Sequence, residues 1–142
     1  MPATTQFLTP VLALIAWTFV MWAWMYATRI PAMQAAKIDP QEAAYSKDAL
    51  GQRLPPQVRW KADNYNHLME QPTLFYATAL SLALLGDDST SSLSIAWAYV
   101  ALRVVHTLVQ TTTNHITTRF AVFFVSSLAL FGLAFRAAML VF

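Results

Sequence analysis

The sequence predicts an all-α protein, a single domain of four membrane-crossing helices running up, down, up and down. Three observations carry that prediction. Charged side chains make up only 11% of the 142 residues, where soluble domains hold about 25%. Four apolar stretches each approach the roughly 20 residues that a bilayer core requires. The basic residues crowd into the first loop, and the second turn has none.

The first span is read as residues 7–28. Met1 to Thr28 carries no charged side chain. A cleavable signal peptide fits poorly, because no basic segment precedes the apolar run and the run is too long. The aromatic cluster "WTFVMWAWMY" near its end has the composition of an interfacial belt. The loop over 29–63 then holds Arg29, Lys37, Lys47, Arg53, Arg59 and Lys61. Within it "DPQEAAYSKDALG" reads as a short helix. Asp39 is its N-cap, Pro40 its first residue, Glu42 the partner in a capping box, and Gly51 its end. "LPP" interrupts the chain, and Pro56 can open the next helix.

The second span is read as 64–85, at the end of a helix beginning at Pro56. Such a helix is about 45 Å long, so its first turns stand in headgroups and cytosol rather than lipid. Pro72 lacks an N–H and frees the carbonyl of Leu68, which predicts a kink near Glu70. Arg59, Asp63, Asn66 and Glu70 fall on one helical face. The third span, 93–114, carries a matching stripe: Arg103, His106, Gln110 and Asn114, flanked by Thr107 and Thr111. Two such stripes on consecutive antiparallel helices can face each other. The fourth span, 120–141, holds only Arg136, whose long stem can snorkel to the interface.

Loop charge sets orientation. The turn "GDDSTSS" has two Asp and no base, while Arg119 stands at the last turn. The positive-inside rule puts the first and third loops in the cytoplasm and both termini opposite. These loop cations also account for the pI of 9.2, so nucleic acid is no expected partner. Cysteine is absent, which excludes disulfides and a protein thiol nucleophile. His67, His106 and His115 are not spaced as metal ligands, and no Gly-rich phosphate loop occurs.

A charge at the centre of a spanning helix costs roughly 2.5–3.5 kcal/mol. Glu70, Arg103 and Arg119 therefore either pair or line a wet pocket. A Glu70–Arg103 ion pair that only locks packing is the plain alternative. His106 suits a hydrogen-bonded core histidine, His115 a cap on helix-end carbonyls, and Arg119 a topological charge.

At these residues the sequence resembles the MAPEG proteins (membrane-associated proteins in eicosanoid and glutathione metabolism), as a divergent, bacterial-type member. The likeness rests on the order Asn, Glu, Pro opening span two and on "RVVHTLVQTTTNHITTRF" closing span three. Arg119 follows Arg103 by sixteen residues, the spacing of the prostaglandin-synthase type. The resemblance implies a homotrimer of four-helix subunits. Glutathione would bind between neighbours as co-substrate, on the cytoplasmic side, with a lipophilic electrophile arriving from the lipid bilayer. It implies Arg119 as the catalytic group that activates the thiol, and Arg59, Asn66, His67, Glu70, Arg103, His106 and Gln110 as binding residues. A bacterial inner membrane is expected rather than an organelle. Two departures stand out. Aligned on Glu70, His67 takes the family's Asn position and Asp63 its Arg position, and Gln110 replaces a common tyrosine.

The chemistry is consistent with that implication. Glutathione carries two carboxylates, an ammonium and a thiol. Arg59 or Lys61, Arg103 and His106 can meet the carboxylates, Glu70 the ammonium and Arg119 the sulfur. Lowering a thiol pKa from about 8.5 by two units takes roughly 2.7 kcal/mol, within reach of one arginine in a partly dry site. The expected function is a glutathione-dependent transferase or peroxidase. The departures keep open a non-catalytic protein of the same fold, whose stripes serve packing or another ligand.

Overall fold

A computed structural model describes residues 3–41 and 52–142. Among these every regular element is a helix, and the chain forms a four-rod transmembrane bundle. After a single turn, α1 (Ala3–Gln6), the first rod is α2 (Leu8–Ala35). The second rod is broken into α3 (Pro56–Leu68) and α4 (Gln71–Leu84). The third is α5 (Thr90–Thr112) and the fourth α6 (Ile116–Val141). Three helices, α2, α5 and α6, are each long and apolar enough to cross a membrane unaided.

The break in the second rod falls where Pro72 requires it. Glu70 leaves the helical region with φ −90° and ψ −96°, and the amides of Met69 and Glu70 turn back three residues, to Asn66 and His67. Pro72 sits in the first turn of α4, where its missing N–H costs nothing. Leu68 and Gln71 thus end one helix and begin another.

Three helix ends share one device. Lys37, Gly86 and Asn114 take positive φ of 51°, 71° and 49°. The following or same amide then reaches five residues back: Ile38 to Met33, Asp87 to Leu82, Asn114 to Val109. This closes the terminal carbonyls and turns the chain sharply. The helix α2 runs on past the interface residues to Ala35, seven residues beyond the span expected from composition. Asp39 does accept a hydrogen bond from the Gln41 amide at 2.8 Å. The rest of the expected short helix, with Glu42 and Gly51, lies outside the described residues.

The apolar core lies toward the end of the bundle that holds Phe7 and Leu133. Phe7, Leu14, Phe75, Leu82, Tyr99 and Leu133 are all fully buried there, and the rings of Phe75 and Tyr99 stack at 4.5 Å. Asp87 clasps this end. Its carbonyl accepts from Gln6 Nε2 at 2.9 Å and its carboxylate accepts from Arg136 Nη2 at 3.0 Å. Arg136 therefore has a partner inside the bundle rather than snorkelling alone. Burial pushes the Asp87 carboxyl up, but Arg136, the Ser92 hydroxyl and the Ser89 amide together hold it below its ordinary value. A carboxyl depressed on folding stabilises the fold fully above the ordinary carboxylate range. That contribution is lost as pH falls through its own lower pKa. Acid melts of the wild type and of Asp87→Asn should show a stability gap at neutral pH that closes in strong acid. A gap independent of pH would assign Asp87 no ionic role.

At the other end the core is polar. Arg103, His106, Thr107, Gln110 and Thr111 of α5 are buried, as are Lys61 and Asn64 of α3. This polar interior sets the stage for the site.

Candidate functional site

The inward face of α3 is not the one that charge periodicity suggested. Arg59, Asp63, Asn66 and Glu70 do share a stripe, but all four are exposed on the outer surface of the subunit. The buried stripe is Lys61, Asn64 and Leu68. Asn64 donates through Nδ2 to Gln110 Oε1 at 2.8 Å, tying α3 to α5. Gln110 is thus committed to the subunit interior. Asn64 carries no charge and stands two residues before Asn66 of the polar stripe, so spacing of charged groups does not single it out. The signal that could have found it is its i, i+3, i+7 register with Lys61 and Leu68 on the inner face.

Arg103 is fully buried, with 0% of its surface exposed. No carboxylate among the described residues lies within ion-pair distance. Its Nη2 donates to the carbonyl of His67 at 3.3 Å, while Nε and Nη1 have no partner. The guanidinium thus sits against the C-terminal carbonyls of α3, where a helix dipole favours a cation. It also lies 5.8 Å from the centre of the Phe123 ring. The expected alternative of a Glu70–Arg103 lock does not form. Glu70 instead turns outward, 68% exposed, and its Oε2 accepts from His67 Nδ1 at 2.9 Å.

His67 and His106 meet across the α3–α5 interface with ring centres 5.1 Å apart, and Phe123 of α6 lies 5.4 Å from His67. Below them opens a cavity of about 400 Å³, lined by His67, His106, Ile116, Arg119, Phe120 and Phe123. Arg119 reaches it from the first turn of α6, its Nη1 donating to Asn114 Oδ1. Asn114 holds the left-handed turn, so the same residue that reverses the chain also aims the arginine. His115 begins α6 by accepting from the Thr118 amide at 3.4 Å; it caps the start of the fourth rod, not the end of the third.

Of the residues predicted from sequence, the fold therefore gathers Arg119, His67 and His106 at one cavity, with Arg103 behind them. Glu70 joins through His67. Arg59 and Asn66 face away from it, and Gln110 is sealed inside. The wall pairs cationic and imidazole groups with apolar side chains. It is suited to an anion that carries, or meets, a lipophilic body. Among the described residues no cluster of three metal-ligating side chains occurs. A second, apolar cavity of about 210 Å³ lies beside the helix break, between α2 and the α3–α4 rod, and shares no wall residue with the first.

Neither the curated proteins nor the solved structures contain a match to this chain. A family model does match, over residues 7–139, which is nearly the whole length and takes in α2 to α5 and all but the last two residues of α6. A match over that much of the chain shows its family: this chain belongs to the MAPEG family.

Proposed function

We propose that the protein is a membrane-bound, glutathione-dependent transferase or peroxidase acting on lipophilic electrophiles. The observation that carries this reading is Arg103, a buried guanidinium with no carboxylate partner among the described residues, set behind a cavity lined by His67, His106 and Arg119. The effective cost of burying an ion is several kcal/mol. One helix end offsets up to about 2 kcal/mol of that. An acidic ligand entering the cavity supplies the rest.

Arg119 is the group for the sulfur, since it is the cation on the cavity wall itself. Arg103 and His106 favour the ligand's carboxylates, and the outward oxygen of Glu70 its ammonium. The apolar wall of Ile116, Phe120 and Phe123 admits the electrophile from the bilayer. Asn66 and Glu70 lie on the outer face of a helix entering the membrane, where lipid is a poor neighbour for them. A homotrimer that covers this face with a second copy removes the conflict and brings Arg59 and Asn66 toward the neighbour's cavity. The positive-inside rule orients the cavity toward the cytoplasm, where glutathione is available. A bacterial inner membrane suits this arrangement.

Isothermal titration of glutathione onto the detergent-solubilised protein tests the reading. Saturable binding at or below millimolar concentration, with conjugation of a chlorinated nitrobenzene, is expected. Absence of binding at millimolar thiol leaves the second reading, a non-catalytic scaffold of this family. That reading is favoured by Gln110, which bonds Asn64 where the family's enzymes commonly present a phenol.

A further inference from the structure

The cavity holds two histidines in unequal circumstances. Among the described residues His106 Nδ1 is buried with no hydrogen-bond partner, and no carboxylate pairs with its ring. His67 Nδ1 lies 2.9 Å from Glu70 Oε2. An ionised carboxylate only accepts, so this bond fixes the proton on Nδ1 and leaves the lone pair on Nε2. The ring is held in place by His106 at 5.1 Å and by Phe123 at 5.4 Å. The helix break produces the pairing: Glu70 has left α3, and its carboxylate folds back onto the last turn it has just departed.

We propose that His67, oriented by Glu70, is the general base that takes the thiol proton in the cavity it shares with Arg119. The inference rests on the cavity being a glutathione site. In the step, the S–H bond breaks, its proton bonds to His67 Nε2, and the electron pair stays on sulfur beside Arg119. Glu70 remains ionised and faces the new imidazolium. When sulfur bonds to the electrophile, the proton passes from Nε2 to the leaving group or to the anion formed on the product. The charged and titratable groups around His67 are Glu70 in the break, Arg103 and His106 from α5, and Arg119 from α6. Among these, Glu70 sets its carboxylate 2.9 Å from the ring nitrogen, opposite in charge to the imidazolium. His106 has the arginines without the carboxylate. It is therefore the weaker candidate, although it lies on the same wall.

The test uses the full chain in detergent and follows glutathione affinity and chlorinated-nitrobenzene conjugation separately. His67→Ala should bind glutathione within about threefold of wild type and lose roughly 10²–10⁴ in kcat, the range of general base catalysis. Added imidazole should restore part of the loss. Glu70→Gln should lower kcat, and Glu70→Asp should retain more of it than Glu70→Gln. If His67→Ala does not fold, His67→Gln replaces it, with its rate followed against pH. The acid limb of the wild-type profile should then move toward the range of free thiol. Wild-type turnover in a His67 variant, an unshifted limb in His67→Gln, or a loss in His67→Ala that imidazole leaves untouched overturns the proposal while the glutathione reading stands. Failure of the unaltered protein to bind glutathione overturns both.

Discussion

Arg119→Ala should lower kcat for glutathione conjugation by about 10²–10³-fold while changing glutathione affinity far less. The asymmetry follows from where the charge develops. Glutathione arrives as the neutral thiol, from which the arginine gains little. In the thiolate a full negative charge faces the guanidinium, so the interaction strengthens as the reaction proceeds. Arg119 is well placed to act this way because Asn114 already fixes its Nη1 and the cavity wall holds the rest of the group. Arg119→Lys keeps the charge but loses the planar fork, and should recover only part of the rate. Steady-state kinetics with a parallel calorimetric titration checks this. Equal losses in kcat/KM and in affinity would reduce Arg119 to ordinary binding.

Arg103→Met should abolish the thermal stabilisation that glutathione gives, and leave the ligand-free protein no less stable than wild type. Met fills a similar volume and removes a cation that only one carbonyl and a helix end now satisfy. Replacing buried charge by a well-packed apolar side chain is often neutral or stabilising by about 1–4 kcal/mol. At a ligand concentration of 100 times Kd, the wild type gains about 2.7 kcal/mol, and the variant should gain none. Melting curves with and without glutathione decide it. A variant that unfolds without ligand, beside a wild type indifferent to glutathione, would make Arg103 a packing residue and favour the scaffold.

Much of the bundle was legible in the sequence because its causes are local. Scarce charge and four apolar runs account for the rods, and Pro72 for the break at Glu70. The stripe of Arg103, His106 and Gln110 was found by its spacing alone, and all three are indeed buried. What failed was the facing of α3. The polar stripe of Arg59, Asp63, Asn66 and Glu70 pointed to that side, yet the helix turns Lys61 and Asn64 inward instead. A neutral amide leaves no trace in a charge pattern, and which face packs is decided by the neighbouring helices. The carboxylate's partner was likewise hidden. Glu70 and Arg103 looked like opposite charges at matching depth, but the break swings Glu70 outward to His67 and leaves Arg103 with a carbonyl. The partner of Arg136, read from sequence as a snorkelling side chain, was hidden for the same reason: Asp87 lies 49 residues away, and only the folded bundle brings it within 3.0 Å.

The ultraviolet absorbance of protein-bound glutathione, followed against pH, bears most directly on whether this polar end of the bundle ionises a thiol. With saturating glutathione the thiolate band should be present near neutrality, where free thiol with a pKa of about 8.5 is almost wholly protonated, and it should disappear in Arg119→Ala. A bound thiol that ionises only in the range of the free peptide, or no bound thiol at all, would contradict the account.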